Sequence, residues 1–169
     1  MNIRFAICTV SDRAFSGHRP DRSGPALAEY VTSRGWIVSQ QKTVPDDQQL
    51  IAGTLEDWAN RGQADIILTT GGTGFAPRDV TPEATLSVID REAPGLAEAM
   101  RAASSARSPH AVLSRARAGI RGTTLIVNLP GSPEAAVENL QSIAAALEHA
   151  VQLLQDNPSA EAGHRTGVV

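Results

Sequence analysis

Apolar positions along the chain alternate between two rhythms. Residues 3–10 (Ile-Arg-Phe-Ala-Ile-Cys-Thr-Val) and 65–70 (Asp-Ile-Ile-Leu-Thr-Thr) are short, almost continuous apolar runs, and residues 36–44 are rich in Val and Ile. Runs of this length and composition predict strands, and the most apolar of them predict buried parallel ones. Between them the spacing shifts to three and four. Leu27, Tyr30 and Val31, after Gly24-Pro25, predict a helix over 25–33. Leu50, Ile51, Thr54, Leu55 and Trp58 predict another over 47–60. Thr81-Pro82-Glu83 reads as a helix start, with Thr as N-cap and Pro at the first helical position. That helix is expected to run to about Glu92, with a further one after Pro94-Gly95 through about Ala103. Residues 111–117 and 123–129 read as strands joined by a short reversal over Ala118–Gly122. Ser132-Pro133-Glu134 opens the longest helix, with Val137, Leu140, Ile143, Ala144, Leu147, Val151 and Leu154 on one stripe and Asn157-Pro158 at its end.

Strands joined through helices predict a three-layer α/β/α fold with a mostly parallel sheet. One domain is expected over residues 1–157, with a small, polar, mobile tail over 158–169. In such sheets ligands gather beyond the carboxyl ends of the strands. The loops to weigh are therefore those after residues 10, 44, 70 and 129.

Composition narrows the function. Apolar residues are 41% of the chain but aromatics only 4%, so aliphatic residues and Ala fill the interior. A net charge of −3 gives no general case for binding nucleic acid or a membrane surface. Fourteen of the fifteen cations are arginine, Lys42 being the only lysine. The guanidinium fork suits phosphate or carboxylate, although genome composition produces the same bias. Cys8 is the only cysteine, which excludes an internal disulfide and a Cys-based zinc site, and it reads as a small buried apolar residue. No apolar run approaches the ~20 residues of a membrane span. No basic-then-apolar leader opens the chain, so a cytoplasmic setting is expected. A P-loop, a His-Glu-x-x-His helix and a Gly-x-Ser-x-Gly elbow are all missing.

The four loops carry the candidate chemistry. Ser11-Asp12-Arg13 follows the first strand and Pro45-Asp46-Asp47 the second. Gly71-Gly72-Thr73-Gly74 and then Arg78-Asp79 follow the third, and Asn128-Leu129-Pro130-Gly131-Ser132-Pro133 ends the last. Three glycines in four residues can point several N–H groups at one anion, or simply make a turn. Gly131-Ser132 leads into a helix N-terminus, which favours negative charge, and Ser132 serves equally as an N-cap. Two anion-binding reversals on one sheet edge suit a ligand with several phosphates. Asp46 and Asp79, 33 residues apart on loops after strands that could be neighbours, would then hold Mg²⁺, which takes one or two carboxylates plus phosphate oxygens and water. The plainer roles are an N-cap for Asp46 or Asp47 and a contact with Arg78 for Asp79. Arg13, Arg78, Arg115, Arg117 and Arg121 are possible phosphate contacts, though mostly solvated. His18 and His110 carry no assigned role, and Trp36 and Trp58 read as packing residues.

These segments together resemble the MogA/MoaB family of molybdenum-cofactor biosynthesis proteins, which includes the gephyrin G domain. The central stretch, Thr69-Thr-Gly-Gly-Thr-Gly-Phe-Ala-Pro-Arg-Asp-Val-Thr-Pro-Glu-Ala-Thr85, is similar to the family's signature. Thr9-Val-Ser-Asp12, Asp21-Arg-Ser-Gly-Pro25, Val44-Pro-Asp46, Leu113-Ser-Arg115, Gly119-Ile-Arg-Gly122 and Leu125–Pro133 resemble it in the same order. The resemblance implies a molybdopterin-binding fold, a homotrimer, and adenylylation of molybdopterin by Mg·ATP with release of pyrophosphate. It implies that Asp46 and Asp79 are the catalytic aspartates. It also implies that Gly71, Gly72, Thr73, Gly74 and the Asn128–Pro133 stretch (Asn128, Pro130, Gly131, Ser132, Pro133) contact nucleotide and pterin. Ser11 and Asp12 join them as candidate substrate contacts, and Ser104 matches a pterin-binding position. Other molybdenum-cofactor biosynthesis proteins are possible partners. A MoaB-type protein that binds the pterin without adenylyl transfer, or a non-catalytic scaffold, is the alternative. A dinucleotide oxidoreductase is disfavoured because no Gly-x-Gly-x-x-Gly follows the first strand.

Overall fold

In the computed structural model, strand β1 (Arg4–Val10) lies inside the sheet, and its alternating side chains face the two halves of the interior. Phe5 and Ile7 point to one face of the sheet, and Ala6, Cys8 and Val10 to the other. The same alternation runs through β3 (Ile66–Thr70), with Ile66 and Leu68 against Ile67, and through β6 (Thr124–Leu129), with Leu125 and Val127 against Ile126. A strand sends successive side chains to opposite faces, so continuous apolar runs are covered on both sides. Helices α2 (Ser23–Ser33), α5 (Pro94–Ser105) and α6 (Pro133–Leu154) cover the first face. Helices α3 (Gln48–Asn60) and α4 (Thr81–Val88) cover the second. The result is the expected three-layer α/β/α architecture.

The six-stranded sheet has the order β2-β1-β3-β6-β5-β4. β2 (Ile37–Val44), β1, β3 and β6 are parallel, and β5 (Ala118–Arg121) and β4 (Arg91–Glu92) are antiparallel additions. The parallel register leaves Val10, Val44, Thr70 and Leu129 at one edge. A one-turn helix, α1 (Asp12–Phe15), starts there directly after β1. The structure describes residues 2–156, and the tail expected over 158–169 lies outside them. Among the described residues no helix is long and apolar enough to cross a membrane.

Four local expectations are corrected. The helix expected to run to about Glu92 ends at Val88, and Arg91–Glu92 pairs with β5 as a strand. Residues 111–117 are no strand: Ser108 caps a 3₁₀ turn over Pro109–Leu113, and Val112 and Leu113 face outward. The strand lies in the expected reversal, at β5, and the turn is confined to Gly122-Thr123. Gly119 fits there because a Cβ would meet Ile89 Cδ1 at 2.4 Å and the Arg91 carbonyl at 2.9 Å across the β4–β5 pair. Thr81 is not an N-cap. It is the first residue of α4, fully buried, and its hydroxyl donates to the Gly71 carbonyl at 2.9 Å. β2 and β3 are not neighbours, because β1 lies between them.

Candidate active site

Gly71 is where the edge is tied together. Its φ of +103° is a conformation that L side chains rarely adopt, and an added Cβ would stand 2.3 Å from the Val10 carbonyl oxygen. Its N–H donates to the Leu129 carbonyl at 3.1 Å, and its own carbonyl accepts from Thr81. A Cβ on Gly131 would lie 3.2 Å from the Gly71 Cα. One glycine thus joins the ends of β1, β3 and β6 to the start of α4, which folds the 71–80 loop back across the end of β1.

That fold-back overcomes the separation of β2 and β3. The backbone N–H of Asp12 donates to Asp46 Oδ2 at 2.7 Å, and the N–H of Asp46 donates to Asp12 Oδ1 at 3.0 Å. From the 71–80 loop, Arg78 donates to both Asp12 oxygens, at 3.0 and 2.8 Å. Three loops from three strands therefore share one polar network. The Asp46 N–H and the Arg78 guanidinium hold the Asp12 carboxyl below the usual range. Asp46 goes the other way. Burial pushes its carboxyl up, and the charges of Asp12 and Asp79 add to this, against the Asp12 N–H and Arg78. Asp46 and Asp79 are thus close enough to feel each other's charge, which chain distance alone did not require.

Asp79 is held from two sides. Its Oδ2 accepts from the Ala76 N–H at 2.9 Å. Arg115 reaches in from 36 residues away and donates to the carbonyls of Asp79 (2.6 Å) and Gly74 (2.7 Å) while ion-pairing with Glu83. Its backbone N–H donates to the Thr73 carbonyl at 2.8 Å. The guanidinium lowers the Glu83 carboxyl. Arg115 is therefore a clasp on the glycine loop. Arg117 pairs with Glu92, and Arg121 pairs with Glu56 and donates to the Val88 carbonyl at 2.7 Å. Arg78 pairs with Asp12 and not with its neighbour Asp79.

Two cavities flank this loop. The larger, of about 670 Å³, is lined by Ser11, Asp46, Gly71, Gly72, Gly131, Ser132 and Pro133, together with Thr9, Thr70 and the segment Arg19–Ser23. Its size falls in the ligand-pocket range of roughly 300–1,000 Å³. The smaller, of about 290 Å³, is lined by Thr73, Gly74, Ser104, Pro130 and residues of α5, the 3₁₀ turn and α6. Consecutive residues of one loop, Gly71–Gly72 and Thr73–Gly74, therefore face different cavities, and Pro130 and Gly131 divide in the same way. Ser132 caps α6, its hydroxyl accepting from the Ala135 N–H at 3.2 Å, and Asp47 caps α3 through the Leu50 N–H at 2.9 Å. Asp46 is left free of capping.

Asn128 lines neither cavity. Fully buried, it donates to the Thr69 and Thr85 hydroxyls at 2.9 and 2.8 Å and accepts from the Arg117 N–H at 3.1 Å, which locks β6 against β3 and α4. Ser104 accepts from Asn139 at 3.0 Å. The sequence reading passed over Arg19, Asp21 and Arg22 on the larger cavity. For Asp21 and Arg22 the one signal is the Asp21–Pro25 segment of the resemblance, and nothing in the sequence marks Arg19.

Residues 6–149 match a family model described as "probable molybdopterin binding domain". The chain is 44% identical to the molybdopterin adenylyltransferase of Escherichia coli K12 over 143 residues, 83% of this chain and 73% of that one. It is 42% identical over 161 residues to the molybdenum cofactor synthesis protein cinnamon of Drosophila melanogaster, covering 94% of this chain but only 26% of that longer protein. The crystal structure of the molybdopterin biosynthesis enzyme MoaB from Thermus thermophilus superposes with a TM-score of 0.87 at 47% identity, over 92% of this chain and 98% of that one. The fold, the loop chemistry and these matches lead to one conclusion: the chain belongs to the molybdopterin-binding family of molybdenum-cofactor biosynthesis proteins.

Proposed function

We propose that the chain is a molybdopterin adenylyltransferase, and that ATP and molybdopterin meet at the Gly71–Gly74 loop. The observation that carries this reading is the pairing of two cavities across that loop, with Asp46 in the wall of the larger and Asp79, which lines neither, against Gly74. A terminal phosphate oxygen of molybdopterin attacks the α-phosphorus of ATP. The new P–O bond forms as the bond to the β-phosphate oxygen breaks, and pyrophosphate leaves with that electron pair. Such a transfer asks the protein mainly for positioning and charge balance. The glycine loop N–H groups and the α6 N-terminus favour the phosphates, and Arg115 fixes the loop that presents them. The larger, more polar cavity suits the nucleotide. The smaller, with Ser104, suits the pterin.

The donor set fits Mg²⁺. Asp46 carries a carboxyl destabilised by burial and by two neighbouring negative charges, a strain that a divalent cation relieves. Among the described residues no cluster of three or more His, Cys, Asp or Glu could hold a metal alone. Mg²⁺ needs only one or two carboxylates, completed by substrate phosphates and water. Asp46 and Asp79 would hold it, and when bound it neutralises phosphate charge. In the same reading the chain is a homotrimer, which sedimentation checks against the 17.8 kDa chain mass.

The test is pyrophosphate release with Mg·ATP and molybdopterin, with adenylyl-molybdopterin identified by mass. Wild type is expected to form both products. Asp79→Asn keeps an acceptor for the Ala76 N–H, so it folds, and is expected to lose about a hundredfold or more in rate. Full activity of that variant removes Asp79 from the mechanism. Retention of the pterin by wild type with no pyrophosphate released makes the protein a binder only.

A further inference from the structure

The larger cavity carries two arginines that the carboxylate and glycine chemistry leaves unused. Among the described residues seven arginines form ion pairs. Arg101 donates to backbone carbonyls and Arg34 lies over Trp36. Arg19 and Arg22 do none of these, and both line the cavity that holds Asp46, Gly71, Gly72 and Ser132. Unpaired guanidinium groups in a cavity wall are positive charge without a protein partner.

The backbone that carries them is fixed. The Arg19 N–H donates to the Arg13 carbonyl at 3.1 Å. Between the two arginines, Asp21 accepts from the Thr9 hydroxyl at 2.6 Å and the Gly24 N–H at 3.1 Å, which staples the segment to β1 and to the start of α2. Gly24 allows that staple, since a Cβ there would stand 2.4 Å from Asp21 Oδ2. The Asp21 carboxylate is thus committed to backbone and hydroxyl donors, and the neighbouring guanidinium groups are left for a ligand. The other acids of the wall are Asp46 and Glu134, the latter in the first turn of α6.

Resting on the adenylyltransferase reading, the layout orients the nucleotide. The Gly71–Gly74 loop is the wall between the two cavities, so the α-phosphate and the pterin phosphate must meet there. The rest of the triphosphate then runs away from that wall, within the larger cavity. We infer that Arg19 and Arg22 bind the β- and γ-phosphates of ATP, the pyrophosphate that departs. Two guanidinium forks match phosphate oxygens in pairs and stabilise the charge that grows on the leaving group.

Calorimetric titration of the full chain in Mg²⁺ tests this, with α,β-methylene-ATP, which cannot be cleaved at the reacting bond, and with AMP, which lacks the two phosphates. In the double variant R19A/R22A the affinity for the methylene analogue is expected to fall about tenfold or more, with AMP binding within about twofold of wild type. Both side chains are exposed and unpartnered, so the variant's melting curve is expected to match wild type. Unchanged affinity for the analogue, or equal losses for analogue and AMP, overturns the assignment. Failure of wild type to bind either nucleotide overturns the ATP reading itself.

Discussion

Gly71→Ala is the sharpest single perturbation of the edge, because the clash it creates is with backbone. The new methyl would lie 2.3 Å from the Val10 carbonyl oxygen, and β1 cannot move without disturbing its pairing on both sides. The positive φ costs about 1–2 kcal/mol for a residue with a Cβ, and forcing a methyl into packed backbone adds about 1–3 kcal/mol. A total near 3 kcal/mol lowers the melting temperature of a chain this size by about 6–12 °C. Gly62→Ala is the matched control. It also has positive φ, +61°, but an added Cβ meets nothing within 4 Å, so only the backbone contribution remains. Its melting temperature is expected to fall by about 3 °C with full activity retained. Gly71→Ala should also slow pyrophosphate release by about a hundredfold at temperatures where it is folded, because a displacement of about 1 Å in a positioning loop costs that much. Thermal melts and the release assay on both variants decide the matter. A Gly71→Ala protein that melts and turns over like Gly62→Ala would refute the idea that this glycine welds three strand ends into one site.

Asp46→Asn separates stability from function. The folded carboxyl is raised above its ordinary 3.8, so the native state favours its proton. That contribution is fully present below pH 3.8 and is lost as the pH climbs through the raised value. At pH 7 wild type carries the penalty of a half-buried, crowded charge. The variant is expected to melt higher than wild type at pH 7 and to lose that advantage toward pH 3.8, while adenylyl transfer disappears, as when a site is built at the expense of stability. A lower melting temperature at pH 7 contradicts this. Cys8 is fully buried, and burial pushes its thiol up to about 12, so native protein at pH 8 is expected to resist a thiol reagent that labels it after denaturation; rapid labelling of the native chain would show the core opening at β1.

Four strands are legible in the sequence, three of them buried on both faces and the fourth, β2, a half-exposed edge strand marked by its Val and Ile. β1, β3 and β6 pack apolar residues toward helices on either side, so their composition alone marks them. β5 escaped because Ala118-Gly119-Ile120-Arg121 has the composition of a turn, its glycine being required by a contact with Ile89 that no local pattern reports. Ala111-Val112-Leu113 misled in the opposite sense, as an apolar triplet of which a capped turn leaves Val112 and Leu113 exposed. The candidate site was legible as loops and not as contacts. Loop chemistry after each strand pointed to Asp46 and Gly71–Gly74, but the position of β1 between their strands, the tie from Arg78 to Asp12 and the clasp by Arg115 depend on tertiary packing. The free arginines of the larger cavity become visible only once the partners of nine other arginines and the lining of that cavity are known.

The central claim is that loops from separate strands form one magnesium-dependent nucleotide site, and metal binding tests it directly. Mn²⁺, substituting for Mg²⁺, can be counted by electron paramagnetic resonance with and without α,β-methylene-ATP. One ion per chain is expected to bind tightly in the presence of the nucleotide, with little bound in its absence, and either Asp46→Asn or Asp79→Asn alone should abolish it. Equal metal binding without nucleotide, or binding that survives the loss of one of the two aspartates, would mean that the carboxylates do not converge on a shared ion.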